Sequence, residues 1–170
     1  KNACLRVNRD PENVKLVVVS KNNPPQKILP LLAAGHKAYG ENKVQEGLYK
    51  WPEIKNKYND IDLHFIGRLQ TNKIRNTLGF FNIIESIDSE KILKKIAHLN
   101  IEHKDKIRST KFLMQINLGE EPQKGGIMPA EARDFFAMSY LKYNIKISGA
   151  MGIPPANREP SHYFKFLKNF

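Results

Sequence analysis

Six short apolar stretches, most of them continuous and the second, His36–Tyr39, a weak one, constrain this chain more than any other feature. They fall at 16–19, 36–39, 63–66, 83–85, 112–116 and 145–151, and the first, Leu16-Val17-Val18-Val19, is rich in β-branched side chains. A strand with water on one face alternates. A strand that is apolar throughout is covered on both faces, as in a parallel sheet packed under helices. Parallel strands also need long crossovers, and the intervals between these runs supply them.

Helix signals occupy those intervals. Residues 28–34 run into Gly35, which is placed as a C′ glycine, with Pro24 and Pro25 on the approach. Pro30 conflicts with an unbroken helix there, because it lacks an N–H and crowds the preceding turn at a cost of ~3 kcal/mol. The expectation is a kink or a late start. Asp88 or Ser89 caps a second helix that carries Ile92, Leu93, Ile96 and Leu99 on one face and ends at Asn100. Pro129 opens a third, with Phe135, Phe136, Met138 and Leu141 as its apolar side. Ser161 opens the last, over 163–170. This alternation fits an open doubly wound sheet or part of a (β/α) barrel, and periodicity does not choose between them. No Gly-x-Gly-x-x-Gly follows the first strand, which removes the main support for a dinucleotide-binding sheet.

With 170 residues, 41% of them hydrophobic, and no splitting linker, the chain reads as one domain over 1–170. Its apolar runs fall far short of the ~20 residues of a membrane span. A lone cysteine, Cys4, excludes an internal disulfide, and no apolar leader core precedes the first charges, so a cytoplasmic protein is expected. The net charge of +11 raises the question of nucleic acid. The lysines are scattered through nearly every segment, however, and read as solvated helix faces; a basic nucleic-acid-binding module is the weakest alternative.

Side chains that do chemistry in parallel α/β folds gather at the carboxyl ends of the strands. Lys21 stands there, in Val17-Val18-Val19-Ser20-Lys21. A lysine beside an apolar wall can present a neutral amine able to condense with an aldehyde; the plain reading is a lysine that begins a solvated loop. Tyr39-Gly40-Glu41-Asn42 follows the second strand, where Asn42 either contacts a ring substituent or caps the next helix. Gly40 and Gly67 would allow sharp turns or close approach to a ligand, and Arg68 and Lys73 could draw an anion or simply lie on the surface. His64 reads as a satisfied core histidine. Gln115-Ile116-Asn117 and Gly149-Ala150-Met151 close the last two strands, with Met151 as a core filler that could also flank a flat ligand. No Cys/His cluster or calcium loop points to a metal, and neither Ser20 nor Ser86 has a histidine partner for a hydrolase triad.

In this order the segments resemble the pyridoxal-phosphate (PLP) homeostasis family. They are Val19-Ser20-Lys21; Tyr39-Gly40-Glu41-Asn42-Lys43-Val44-Gln45-Glu46; His64-Phe65-Ile66-Gly67-Arg68-Leu69-Gln70-Thr71-Asn72-Lys73; Ser86-Ile87-Asp88; Gln115-Ile116-Asn117 with Lys124-Gly125-Gly126; and Gly149-Ala150-Met151-Gly152-Ile153-Pro154-Pro155. The resemblance implies a (β/α)8 TIM-type barrel of the alanine racemase N-terminal type, of which about six strands fall in this chain. It implies PLP held as a Schiff base on Lys21, with Asn42 near the ring and Met151 beside it. The implied role is intracellular PLP homeostasis without established turnover, with PLP-dependent apo-enzymes as possible recipients and a monomeric complete protein. A racemase-like amino-acid enzyme is the alternative. Family members carry further phosphate-gripping segments beyond the sixth strand, so the resemblance also implies a chain incomplete at both ends.

Overall fold

The computed structural model describes residues 2–100 and 102–170. Six strands, β1 (Val18–Val19), β2 (Ala38–Glu41), β3 (Asp62–Phe65), β4 (Ile83–Ile87), β5 (Lys111–Ile116) and β6 (Ile147–Gly152), form one sheet. Every pairing is parallel, and the strands lie side by side in sequence order. This order settles the choice that periodicity left open. A doubly wound sheet reverses direction at a switch point, whereas a sheet that advances one strand at a time keeps its right-handed crossovers on one side and curls as a barrel does.

The helices are α1 (Asn2–Arg6), before β1; α2 (Pro25–Ala33), α3 (Val44–Lys57), α4 (Ile74–Thr77), α5 (Glu90–Leu99), α6 (Lys104–Arg108) and α7 (Ala132–Leu141), in the crossovers; and α8 (Ser161–Asn169), after β6. The core lies between them and the strands, with Tyr39, Leu63, Phe65, Ile84, Phe112 and Met114 packed against Trp51, Phe81, Leu93 and Ile96. Each of these is at most 3% exposed. None of the described helices is long and apolar enough to cross a membrane.

The helix ends follow their sequence signals closely in places. Gly35 takes φ +81°, its amide donates to Leu32 and that of His36 donates to Leu31, which is the paired-bond C-terminal cap that favours glycine. This cap consumes His36 and Lys37, so β2 begins at Ala38, two residues later than expected. α2 starts at Pro25, earlier than expected, and accommodates Pro30 inside. Ser89 occupies the N-cap of α5 without a side-chain cap bond, and the buried face is Ile92, Leu93, Ile96 and Leu99, as the spacing predicts. α7 differs: Ala132, Phe135 and Ser139 are buried, while Phe136 and Leu141 face water. β1 shrinks from the expected four residues to Val18–Val19, because it is an edge strand whose flanking Leu16 is 70% exposed.

Candidate functional site

Val19 pairs with Gly40 across β1 and β2, so Lys21 and Asn42 each follow those partners by two residues on neighbouring strands. Lys21 is exposed and opens a tight turn in which the Asn23 amide donates to the Ser20 carbonyl at 3.2 Å and Asn22 takes φ 59°. Among the described residues its ammonium makes no ion pair or side-chain hydrogen bond. Lys21 is thus a solvent-exposed residue at the start of a loop, the plainer of the two readings the sequence left open.

Asn42 is half-buried, and its Oδ1 is shielded from solvent with no hydrogen-bond partner. Lys43 occupies the N-cap of α3, and no side chain closes that cap. The capping role open to Asn42 in the sequence is therefore not the one it plays. Gly67 serves a close approach, but to backbone: a β-carbon there would lie 2.0 Å from the Asn42 carbonyl oxygen. At Gly40 the vacant space is filled by the Ile66 and Val17 side chains, 3.2 and 3.3 Å from a hypothetical β-carbon. Met151 is half-buried on β6, opposite Gln115. Since β1 and β6 are the two edges of the sheet, strand pairing brings Lys21 and Asn42 together and leaves Met151 at the far edge.

The remaining sequence candidates divide by role. Gln115 and Asn117 hold the loop after β5: Gln115 Nε2 donates to Gly125, and Asn117 Nδ2 donates to Glu121 at 2.9 Å. His64 is buried, but in a polar cluster and not an apolar pocket. Its Nδ1 meets Glu85 Oε1 at 2.5 Å, and Nε2 faces Asp62 Oδ2 at 3.5 Å. Burial pushes the Asp62 carboxyl up, yet the Lys15 hydrogen bond and the His64 and Lys15 charges hold it below its ordinary 3.8. Arg68 is exposed at the end of β3. Burial raises the Asp88 carboxyl above its ordinary value, against a Ser89 hydrogen bond and the Arg68 charge. Ser20 Oγ donates to Glu41 and not to a histidine. Among the described residues no group of His, Cys, Asp and Glu is arranged to hold a metal ion.

Behind Lys21 lies a set of charges that sequence reasoning missed. Glu41, fully buried, accepts from Ser20 Oγ and Lys50 Nζ at 2.8 Å and from Trp51 Nε1 at 3.0 Å. Lys50 Nζ also donates to Glu46 at 2.8 Å and to the Ser20 carbonyl at 2.9 Å. The Asn22 amide donates to Glu46 at 2.6 Å. Burial pushes the Glu46 carboxyl up, but the Lys50 and Asn22 hydrogen bonds and the nearby positive charges hold it below its ordinary 4.5. The available signal was the Glu46–Lys50 spacing, one helical turn, beside an acidic residue at a strand end.

The parallel sheet in sequence order, with its helical crossovers, defines a barrel-type α/β protein. No family model matches the chain. A pyridoxal phosphate homeostasis protein of Aquifex aeolicus is 36% identical over 98% of this chain and 72% of its own length. One of Vibrio alginolyticus is 36% identical over 86% of this chain, which spans 62% of that relative. The chain belongs to the pyridoxal phosphate homeostasis protein family. The PipY protein of Synechococcus elongatus, solved with PLP bound, matches with a TM-score of 0.77 at 29% identity, over 99% of this chain and 79% of that one. Alanine racemase of Corynebacterium glutamicum shares the fold, with a TM-score of 0.65 at 16% identity over 92% of this chain and 43% of its own.

Proposed function

We propose that this chain binds pyridoxal 5'-phosphate at the carboxyl ends of β1 and β2 and serves intracellular PLP homeostasis, with Lys21 carrying the cofactor as a Schiff base. The observation that carries this reading is the pairing of two unoccupied groups on adjacent strands. Lys21 offers an amine without an ion partner, and Asn42 Oδ1 is a buried acceptor without a donor. A buried polar atom left unpaired costs about 1–3 kcal/mol, so such an atom beside a strand end is a place for a ligand donor. The names of the relatives and the PLP-bound state of PipY support the choice of ligand.

Bound there, PLP supplies an aldehyde and an electron-withdrawing ring. Lys21 would hold the cofactor through its amine, the nucleophile in an imine-forming condensation that releases one water. Asn42 Oδ1 would accept from a ring substituent, Arg68 and Lys73 would attract the phosphate, and Met151, which strand pairing leaves at the far edge of the sheet, would reach the ring only from across the barrel.

The test is borohydride reduction of the protein after incubation with PLP, followed by peptide mapping. One label per chain on the peptide containing Lys21 is expected. Label spread over many lysines, without excess at Lys21, would contradict the assignment.

A further inference from the structure

Lys21 is free, but the residues on either side of it are not. Ser20 is 3% exposed, its amide donates to Gly40, its hydroxyl donates to Glu41 and its carbonyl accepts from Lys50. Asn22, at a positive φ, is held by its amide to Glu46. All of these but the amide bond to Gly40 converge on one ammonium, directly or through Glu41 and Glu46. Lys50 Nζ has three donors, and the three are spent on Ser20 O, Glu41 Oε1 and Glu46 Oε1, with the side chain 4% exposed.

A lysine is almost never buried unless its charge is paired, and a buried pair gives little net stability over apolar packing. Stability alone therefore does not account for placing these charges under the only turn that carries Lys21. We propose that Lys50, held between Glu41 and Glu46, is a positioning residue for Lys21. It ties the backbone before and after that residue to α3, so that the amine stands ready at the barrel mouth before the cofactor arrives. The inference rests on the reading of Lys21 as the PLP attachment site and adds the device that presents it.

Removing Lys50 alone would leave buried carboxylates unpaired and could unfold the chain, so the informative variant is Glu41→Gln with Lys50→Met, which leaves Glu41 no charge to strand. Parent, Lys21→Ala and this double variant are titrated with PLP while the imine absorbance is followed, and each is melted by circular dichroism. Apparent affinity of the folded double variant is expected to fall roughly tenfold or more, since a small misplacement of a reacting group carries losses of that order. Its borohydride label at Lys21 is expected to fall in step. A double variant that melts cooperatively and takes up PLP at Lys21 like the parent overturns the proposal. A parent whose imine band persists in Lys21→Ala refutes instead the attachment site on which the inference rests. Amide hydrogen exchange on the unaltered, PLP-free protein decides the matter if the double variant fails to fold. Slow exchange at both Ser20 and Asn22 is expected, and an Asn22 amide exchanging like an open turn overturns the clasp.

Discussion

A β-carbon on Gly67 would sit 2.0 Å from the carbonyl oxygen of Asn42 and 2.7 Å from its Cα, so the loop after β3 crosses the end of β2 with no room for a side chain. The contact is backbone against backbone, which cannot move aside as a flexible side chain would. It sets the position of Asn42 relative to the strand end that carries Lys21.

Gly67→Ala is therefore expected to destabilise the protein by roughly 1–3 kcal/mol, the usual cost of forcing atoms into a filled site. A urea midpoint shifted down with an unchanged slope would show it. PLP affinity is expected to fall with it, because Asn42 must shift to relieve the clash. An unchanged midpoint would mean that the loop does not cross there.

Asn42→Ala should behave in the opposite way. Its Oδ1 has no partner, so the substitution removes a desolvation cost of about 1–3 kcal/mol and sacrifices no protein hydrogen bond to that atom. The small cavity left behind costs a comparable amount, and the two offset. Stability is expected to stay close to the parent while PLP binds more weakly. A large loss of stability would assign Asn42 to the scaffold, not to the ligand.

Trp51, the single tryptophan, is completely buried, 5.0 Å from the Tyr39 ring, and donates to Glu41. Trp51→Phe loses that hydrogen bond to a buried carboxylate, worth about 1.5–3 kcal/mol, and leaves a cavity worth about 1–2 kcal/mol more. Chemical denaturation followed by circular dichroism should read a loss of that combined size. A neutral result would mean that Glu41 is held without it.

Acid should weaken the fold through two carboxyls. Glu46 and Asp62 both have pKa values below their ordinary 4.5 and 3.8, Glu46 through Lys50 and Asn22, Asp62 through Lys15 and His64, in each case against the effect of burial. Each binds its proton less readily in the folded chain than in the unfolded one. Their stabilisation is present above the unfolded values and disappears as pH falls through the lower folded values. Melting temperature is expected to hold from neutral pH to about 5 and to drop below about 4. A melting temperature independent of pH across that window would contradict both ion-pair assignments.

How much of this was legible in the sequence depended on what each feature needed. Apolar runs marked the strands, and the two-face burial behind that reading holds for β2 and most of β3, whereas β5 alternates and β6 is largely open. The neighbour order that separates a barrel from a doubly wound sheet leaves no such mark, since periodicity does not encode which strand lies beside which. The Schellman-type end at Gly35 was readable because a positive φ restricts the residue type. The helix Val44–Lys57 was not singled out, because Pro52 and its lysines interrupt the apolar pattern. Asn42 could not be resolved between cap and ligand contact, as both place the same amide after a strand. The Glu41–Lys50 pair was invisible for a different reason: a buried charge looks like a surface charge until the fold surrounds it. Phe136 and Leu141 misled in the opposite direction, because apolar residues at helical spacing need not face the core.

Attachment at Lys21 is the central claim, and absorbance titration with PLP, run on the parent and on Lys21→Ala, tests it most directly. The account predicts an imine band that saturates in the parent and is missing from a variant with the same melting curve. A band of equal intensity in both, or none in either, would contradict it.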